Sequence, residues 1–215
     1  MSSDPRALAQ QEIRNLRSRI TKLSDDGIDL ILTEARSHYG WQDKPVTDDD
    51  LKKIYDITVA GPTSNNGHPI RILFARTDEA KQRLVPALKG NNVEKVLGSP
   101  VCAIIGYDMK FYKRMPELFP HDPGKMQMFI DDPIRCADDA FRNGSLQGAY
   151  FMIAARALGF DVGPISGFIN ETVDEEFFAG TTIKSNFLCN VGYGDEASVW
   201  QKLPRPSFDS ICTII

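Results

Sequence analysis

Apolar residues at Ala9, Ile13, Leu16, Ile20 and Leu23 recur at intervals of 4, 3, 4 and 3, a spacing that places one seam along a helix and suits packing against a partner surface. The pattern predicts an N-terminal helical extension over residues 1–27. A frayed amphipathic end and an Arg-rich transit segment are the other readings of the same stretch. A helix is predicted from Ile28 to about Ser37. A second opens at Thr47, a capping residue followed by Asp48, Asp49 and Asp50, and stops after Val59 at Gly61-Pro62. The alternation in "RILFAR" (71–76) predicts a strand, "DEAKQRLVPAL" a short helix, and "PVCAIIGYD" a buried strand. Residues 109–133, rich in Pro, Phe, Tyr and Met, have no clean period and predict a lid-like excursion. From Asp138 to Leu158 the pattern is a long helix, apolar almost all round after Ala149 and ended by Gly159. Such a helix belongs at the centre of the fold or under a partner. "GFDVGPISGF" reads as a Gly-rich connection, followed by a short acidic helix and a last buried strand in "FLCNVGYGD". Helices and strands without strict β-α-β alternation predict a single α+β domain over 28–215.

Charge narrows the function. The 215 residues carry 25 basic and 29 acidic side chains, a net charge of -4, which leaves no basic footprint for nucleic acid and no polybasic membrane patch. No apolar run approaches the roughly 18 residues of a membrane span. The N-terminus has no signal-peptide core, so the expected location is the cytoplasm. Cys102, Cys136, Cys189 and Cys212 form no CxxC pair, and the three histidines are isolated; neither pattern is that of a metal site. A G-x-S-x-G nucleophile elbow is missing, and "NVGYGD" lacks the third glycine of a dinucleotide-binding turn.

The stretch "GPTSNNGHP" (61–69) packs two Gly, two Pro and small polar residues into nine positions. By itself it reads as a surface turn. Its neighbours change that reading. "EARSHYGW", "GPTSNNGHP", "NNVEKVLGSPVCAII", "ALGFDVGPISGF", and "VGYGD" followed by "KLPRPSF" occur in an order and spacing that resembles the nitroreductase family of FMN-dependent oxidoreductases. The continuous wording "FRNGSLQGAYFMIAARALGFDVGPISGF" resembles its malonic semialdehyde reductase branch in particular.

The resemblance implies a nitroreductase-like fold: a mixed β-sheet wrapped by helices, in a homodimer with FMN at the subunit interface. It implies that Pro62, Thr63, Ser64 and Asn66 contact the flavin, with His68 where the family usually has Gln. Arg36, Ser37 and His38 match the phosphate-binding run and Arg205 the C-terminal basic position; Tyr39 and Gly40 stand where a second basic residue is common. An arginine fork suits phosphate oxygens, at roughly 1.5 to 3 kcal/mol per charge-assisted bond. Asn92 and Lys95 match the family's Asn-x-x-Lys, a fixed cation where negative charge grows on reduced flavin. Gly163, Pro164, Ile165, Ser166 and Gly167 match the segment lying against the ring, with Ser166 where many relatives have Glu. The implied activity passes hydride from NADPH or NADH through flavin N5 to a small acceptor, malonic semialdehyde being reduced to 3-hydroxypropanoate. A nitroaromatic or quinone reductase and a non-catalytic flavin carrier are the alternatives. Within 109–133, Phe111, Tyr112, Phe119 and Arg114, with Lys113, are expected to select the acceptor.

Overall fold

The structure is a computed structural model that describes residues 4–215. These form two compact units, one ending at Ala35 and one spanning Arg36–Ile215. In the first, helix α1 covers Pro5–Arg19, with Pro5 in its first turn and the Asp4 side chain accepting the Arg6 N–H at 3.0 Å. The predicted seam is helical only as far as Arg19. Ile20 is extended, and Ser24 caps a new helix by accepting the Gly27 N–H at 3.1 Å. Helix α2, Asp25–Ile28, continues into a π turn at Asp29–Thr33. It starts before Ile28 because Ser24 caps it and Asp25 and Asp26 complement its positive end. Leu8, Ile13, Leu16, Ile20 and Leu23 stay exposed.

The second unit is organised around strands β1 (Ile70–Ala75), β2 (Val101–Asp108), β3 (Asp161–Ile165) and β4 (Ile183–Gly192). Their order is β1-β2-β4-β3, and every pairing is antiparallel. The sheet is thus not mixed in strand direction as the resemblance implied. Among the described residues one isolated bridge, from Ser37 to Val162 of β3, is parallel.

Side chains alternate across the sheet and build a core on each face. On one face Ala103, Ile105, Cys189 and Val191 meet Leu51 and Ile54 of helix α3 (Asp48–Ala60) and Phe151, Ala154 and Ala155 of a 25-residue helix from Pro133 to Ala157. On the other, Cys102, Ile104 and Leu188 meet Leu84 of helix α4 (Asp78–Leu84), Val96 of helix α5 (Asn92–Leu97) and Val173 of a helix over Asn170–Phe177. Burying each such aliphatic side chain is worth about 1.5 to 3 kcal/mol. Burial pushes the Cys102 thiol up to about 12 and the Cys189 thiol up as well, so both are inert packing groups.

The segment 109–133 carries a 3-10 turn at Phe111–Arg114 and helices α6 (Met115–Leu118) and α7 (Lys125–Asp131). It has a small core of its own, Phe111, Met115 and Phe129 against Cys136 and Ala140. The helix over Pro133–Ala157 is α8 and that over Asn170–Phe177 is α9. The Asp132 side chain caps α8 by accepting the Arg135 N–H at 3.0 Å, so the helix begins ahead of the predicted Asp138. Gly144 and Gly148 let it lie close on the sheet: a Cβ at either would come within 2.7 Å of Tyr107 or 2.5 Å of Phe187.

"GFDVGPISGF", expected as a connection, contains strand β3. Gly163 and Pro164 hide its β character, and an edge position tolerates a residue with no N–H to donate. After β4 the chain carries a short helix, α10, at Phe208–Ile211.

Candidate functional site

The first group of expected site residues gathers along the outer edge of β3. Ser37 bridges Val162, the His38 N–H donates to the Val162 carbonyl at 3.1 Å, and the Arg156 guanidinium donates to the Arg36 carbonyl at 3.3 Å. Main-chain contacts therefore fix Ser37 and His38, and a side-chain guanidinium holds Arg36. Gly163 makes this approach possible, because a Cβ there would run into the His38 carbonyl oxygen. The His38 ring turns into the protein: its side chain is 11% exposed and Nδ1 lies 3.4 Å from an Asp161 carboxylate oxygen. Gly194 leaves the ring its space.

Helix α5 brings in the next residues. Asn92 Nδ2 donates to the Gly167 carbonyl at 2.9 Å, and a Cβ on Gly167 would sit 2.5 Å from that nitrogen. Lys95 Nζ donates to Asn92 Oδ1 at 3.3 Å and lies 4.3 Å from the centroid of the Tyr39 ring. The Asn190 amide holds the Lys95 carbonyl at 2.9 Å. Tyr39, which departs from the expected basic residue, thus gives the Lys95 ammonium an aromatic face, a contact worth about 0.5 to 1 kcal/mol at a partly exposed position. Ser37 and His38 thus lie on Val162 of β3, Asn92 on Gly167, and Lys95 on Tyr39. Of the run 163–167, Gly163 and Ile165 are buried while Pro164 and Ser166 face outward.

The loop from Pro62 to Pro69 is held in a different way. Asn65, Asn66 and His68 all have positive φ (51°, 52° and 44°), a left-handed conformation that Asn tolerates and His less readily. Three side chains of α8 hold it, and bonds within the loop and to α6 add to them. Asn143 Oδ1 accepts the Ser64 N–H at 2.8 Å, and the Tyr150 hydroxyl donates to the Pro62 carbonyl at 3.1 Å. Gln147 Oε1 accepts the Ile70 N–H at 3.1 Å while its Nε2 lies 2.8 Å from His68 Nδ1. His68 Nε2 is 2.7 Å from Asn66 Oδ1, and Asn66 Nδ2 donates to the Leu118 carbonyl of α6 at 2.8 Å. Thr63 Oγ1 receives the His68 N–H at 3.4 Å.

Sequence reasoning did not single out Asn143, Gln147 or Tyr150. A signal was present: Asp139, Asn143 and Gln147 recur every fourth residue, and all three are buried. Buried polar groups on one helix stripe must have partners.

Three of the expected acceptor-selecting residues gather on the core of their own segment, and Arg114 alone of the four lines a cleft. Phe111 lies inside the core of its own segment, 4.9 Å from the Phe129 ring centroid. Tyr112 and Phe119 pack partly against that core, and the Phe119 ring centroid lies 3.9 Å from that of His121 at a tilt of 53°. Lys113 is exposed. Arg114 pairs with Glu117 at 2.9 Å and lines a cleft of about 810 Å³ together with His68, Tyr55, Ile70, Ile72 and Phe74. Burial, and after it the Arg114 charge, holds the His68 imidazole below its ordinary pKa. Arg205 sits in the exposed C-terminal tail, its guanidinium donating to the Leu203 carbonyl at 2.8 Å.

Among the described residues no cluster of three or more His, Cys, Asp or Glu is placed to hold a metal, and no helix is long and apolar enough to cross a membrane.

Solved structures share this architecture. A protein of Exiguobacterium sibiricum assigned as a nitroreductase and solved in complex with FMN superposes with a TM-score of 0.78 at 20% identity, covering 91% of this chain and 100% of that one. A Staphylococcus epidermidis protein assigned as an NAD(P)H:FMN oxidoreductase gives 0.75 at 18% identity, covering 91% and 98%. An enone reductase of gut-bacterial fatty acid saturation metabolism gives 0.76 at 15%, covering 90% and 100%. At these identities the likeness establishes the fold. Residues 32–193, which hold every expected site residue except Arg205, match the nitroreductase family; the chain belongs to that family and is an oxidoreductase of it.

Proposed function

We propose that the protein is an FMN-dependent NAD(P)H oxidoreductase whose physiological acceptor is malonic semialdehyde. The observation that supports the flavin assignment is that Arg36, Ser37, Asn92, Lys95 and Gly167 line up along the outer edge of β3, Ser37 at Val162 and Asn92 at Gly167 past its last residue. As a donor set they suit FMN: a guanidinium and a hydroxyl for phosphate, and an ammonium with backbone N–H groups for a ring that gains negative charge. Bound FMN supplies hydride exchange at N5, reduced by NADPH or NADH and oxidised by the acceptor. The protein's part is to hold and to shield. Arg36 and Ser37, with Arg205 from the tail, hold the phosphate. Lys95, steadied by Asn92 and Tyr39, presents its charge to the ring. Pro62 to Asn66 line the cofactor with short side chains, and Arg114 supplies a cation for a carboxylate-bearing acceptor. The branch assignment rests on the wording of residues 141–168.

A homodimer completes this reading. Trp200 is 77% exposed and Ile214 86%, with Leu203, Phe208, Ile211 and Ile215 also bare, and Phe141 of α8 is exposed. Edge strand β1 borders the cleft beside α3. Apolar tails and open edges of this extent need covering, and a second copy supplies the complement.

The test is an absorbance spectrum of the pure protein, then NADH or NADPH oxidation with malonic semialdehyde, a nitroaromatic, a quinone and an enone as acceptors, and light scattering for subunit number. Colourless protein that refuses added FMN ends the reading. Oxidation of the nicotinamide with every acceptor except malonic semialdehyde removes the branch assignment alone. If no acceptor supports turnover, the protein is a flavin carrier.

A further inference from the structure

Four hydrogen bonds run in sequence from the start of β1 to helix α6, and their directions are fixed by the backbone groups at the two ends. The Ile70 N–H can only donate, so the Gln147 atom 3.1 Å from it is the acceptor Oε1 and the amide must donate through Nε2. His68 Nδ1, 2.8 Å from that Nε2, must therefore carry a lone pair. A neutral imidazole with an unprotonated Nδ1 has its proton on Nε2, which donates to Asn66 Oδ1 at 2.7 Å. At the far end the Leu118 carbonyl can only accept, so Asn66 Nδ2 donates to it at 2.8 Å, in agreement with the orientation reached from the other side. Every link is satisfied by one tautomer only.

We infer that His68 is a positioning residue: as the Nε2–H tautomer it ties the 62–69 loop and the 109–133 segment to α8, and protonation at Nδ1 releases that tie. A second proton would put an N–H against the Gln147 N–H, two donors facing each other. Gln147 cannot turn its amide over without orphaning the buried Ile70 N–H. The strained φ of +44° at His68 adds to the loop's dependence on these bonds. The ionisable groups lining the same cleft are Arg114, Arg71 and Arg76 together with Asp48, Lys52 and Tyr55 of α3. Burial, then the Arg114 charge, lowers the His68 pKa, so the tie is fully present above the ordinary histidine value of about 6.5 and is lost as pH falls through the lower folded value. Only the consequence for flavin binding rests on the flavin reading above.

The experiment uses the whole protein and the variants His68→Gln and His68→Leu. Glutamine can accept from Gln147 and donate to Asn66 without titrating; leucine can do neither. In ¹⁵N-histidine-labelled protein, with the His68 signals assigned by their loss in His68→Gln, the Nε2–H tautomer titrating below the ordinary value is expected. Hydrogen exchange of 109–133 in FMN-free protein should quicken in the wild type relative to His68→Gln, by about 5- to 10-fold across that titration, as the loss of one hydrogen bond implies. His68→Leu should exchange fast at every pH. FMN affinity should fall in the wild type by a similar factor beyond its fall in His68→Gln. That variant shares the titration of the FMN phosphate itself, which has a second pKa of about 6. An Nδ1–H tautomer, titration at or above the ordinary value, or the same pH profile of exchange and affinity in wild type and His68→Gln overturns the assignment of His68 and leaves the flavin reading standing. The expected tautomer and exchange in a protein that binds no FMN at any pH supports the tie and ends the flavin reading.

Discussion

Residues 37–38 and residues 62–69 are both expected at the candidate site, yet the first pair hangs on main-chain bonds to an edge strand and the second run on side chains, most of them from one helix. His38 and Ser37 meet Val162 through the backbone, while the loop relies on Asn143, Gln147, Tyr150 and its own Asn66 and His68. A main-chain anchor is indifferent to most substitutions but fails if the backbones are pushed apart. A side-chain anchor fails one residue at a time. Each half is therefore vulnerable to a different kind of substitution.

The largest expected effect therefore belongs to a glycine. Gly163→Ala drives a Cβ into the His38 carbonyl, a backbone group and not the far end of a flexible side chain. Overpacking of this kind costs about 1 to 3 kcal/mol, and a backbone neighbour places it near the top. Urea unfolding should report that loss together with weakened FMN retention. A variant as stable as the parent would show that the 37–38 pair moves freely off β3.

Gln147→Leu is the matching break on the other side. Leucine approximates the volume but leaves the Ile70 N–H and His68 Nδ1 without partners at a position that is 0% exposed. Leaving a buried group unsatisfied costs about 1 to 3 kcal/mol. FMN affinity should drop further than stability does, because the loop loses its shape while the core keeps its packing. Equal unfolding midpoints and equal FMN affinity in parent and variant would sink the claim that α8 shapes the loop.

These two positions also show how far the sequence could be read. Helix α3 and strands β1, β2 and β4 follow from local signals: a Thr-Asp cap, alternation, and apolar runs that cores on both faces require. Strand β3 escaped because Gly163 and Pro164 are poor strand formers, and only the edge position and the closeness of His38 explain them. Single-sequence patterns carry no long-range partners. The 36–38, 92–95 and 163–167 groups were picked out by family resemblance alone, since no local pattern joins segments so far apart in the chain. The polar stripe at 139, 143 and 147 was visible but had no destination, since only the fold brings residues 64, 68 and 70 beside it. The aromatic residues of 109–133 look alike in sequence; the fold buries Phe111 inside a core and packs Tyr112 and Phe119, half-buried, against it.

A milder test sharpens the contrast. Asn92→Ala removes one bond to the Gly167 carbonyl and the support of Lys95. The site is half-buried, so water can replace what is lost, and a stability cost of about 0.5 to 1.5 kcal/mol is expected. FMN titration by fluorescence quenching should show weaker binding by a comparable amount. Unchanged affinity would remove Asn92 and Lys95 from the flavin site.

The smallest effect is expected at the far end of α3, about 20 Å from the loop by the rise of a 13-residue helix. Thr47 Oγ1 accepts the Asp50 N–H, and the Asp50 carboxylate in turn accepts the Thr47 hydroxyl at 2.7 Å and the Thr47 N–H at 2.9 Å. The hydroxyl bond first, and the backbone bond after it, hold the Asp50 pKa below the ordinary carboxylate value. A depressed carboxylate stabilises the fold above its unfolded pKa, about 3.9, and loses that contribution as pH falls through the lower folded value. Asp50→Asn should then cost about 0.5 to 1 kcal/mol at neutral pH, low in the range for caps because water screens an exposed pair. The gap between parent and variant should close as the medium is acidified below pH ~4. FMN affinity should be the same in both at neutral pH, since the cap touches neither half of the site. A gap that stays constant on acidification would mean the carboxylate charge contributes nothing to the cap, and a loss of FMN affinity would mean the loop senses the whole of α3 and not only its α8 side chains.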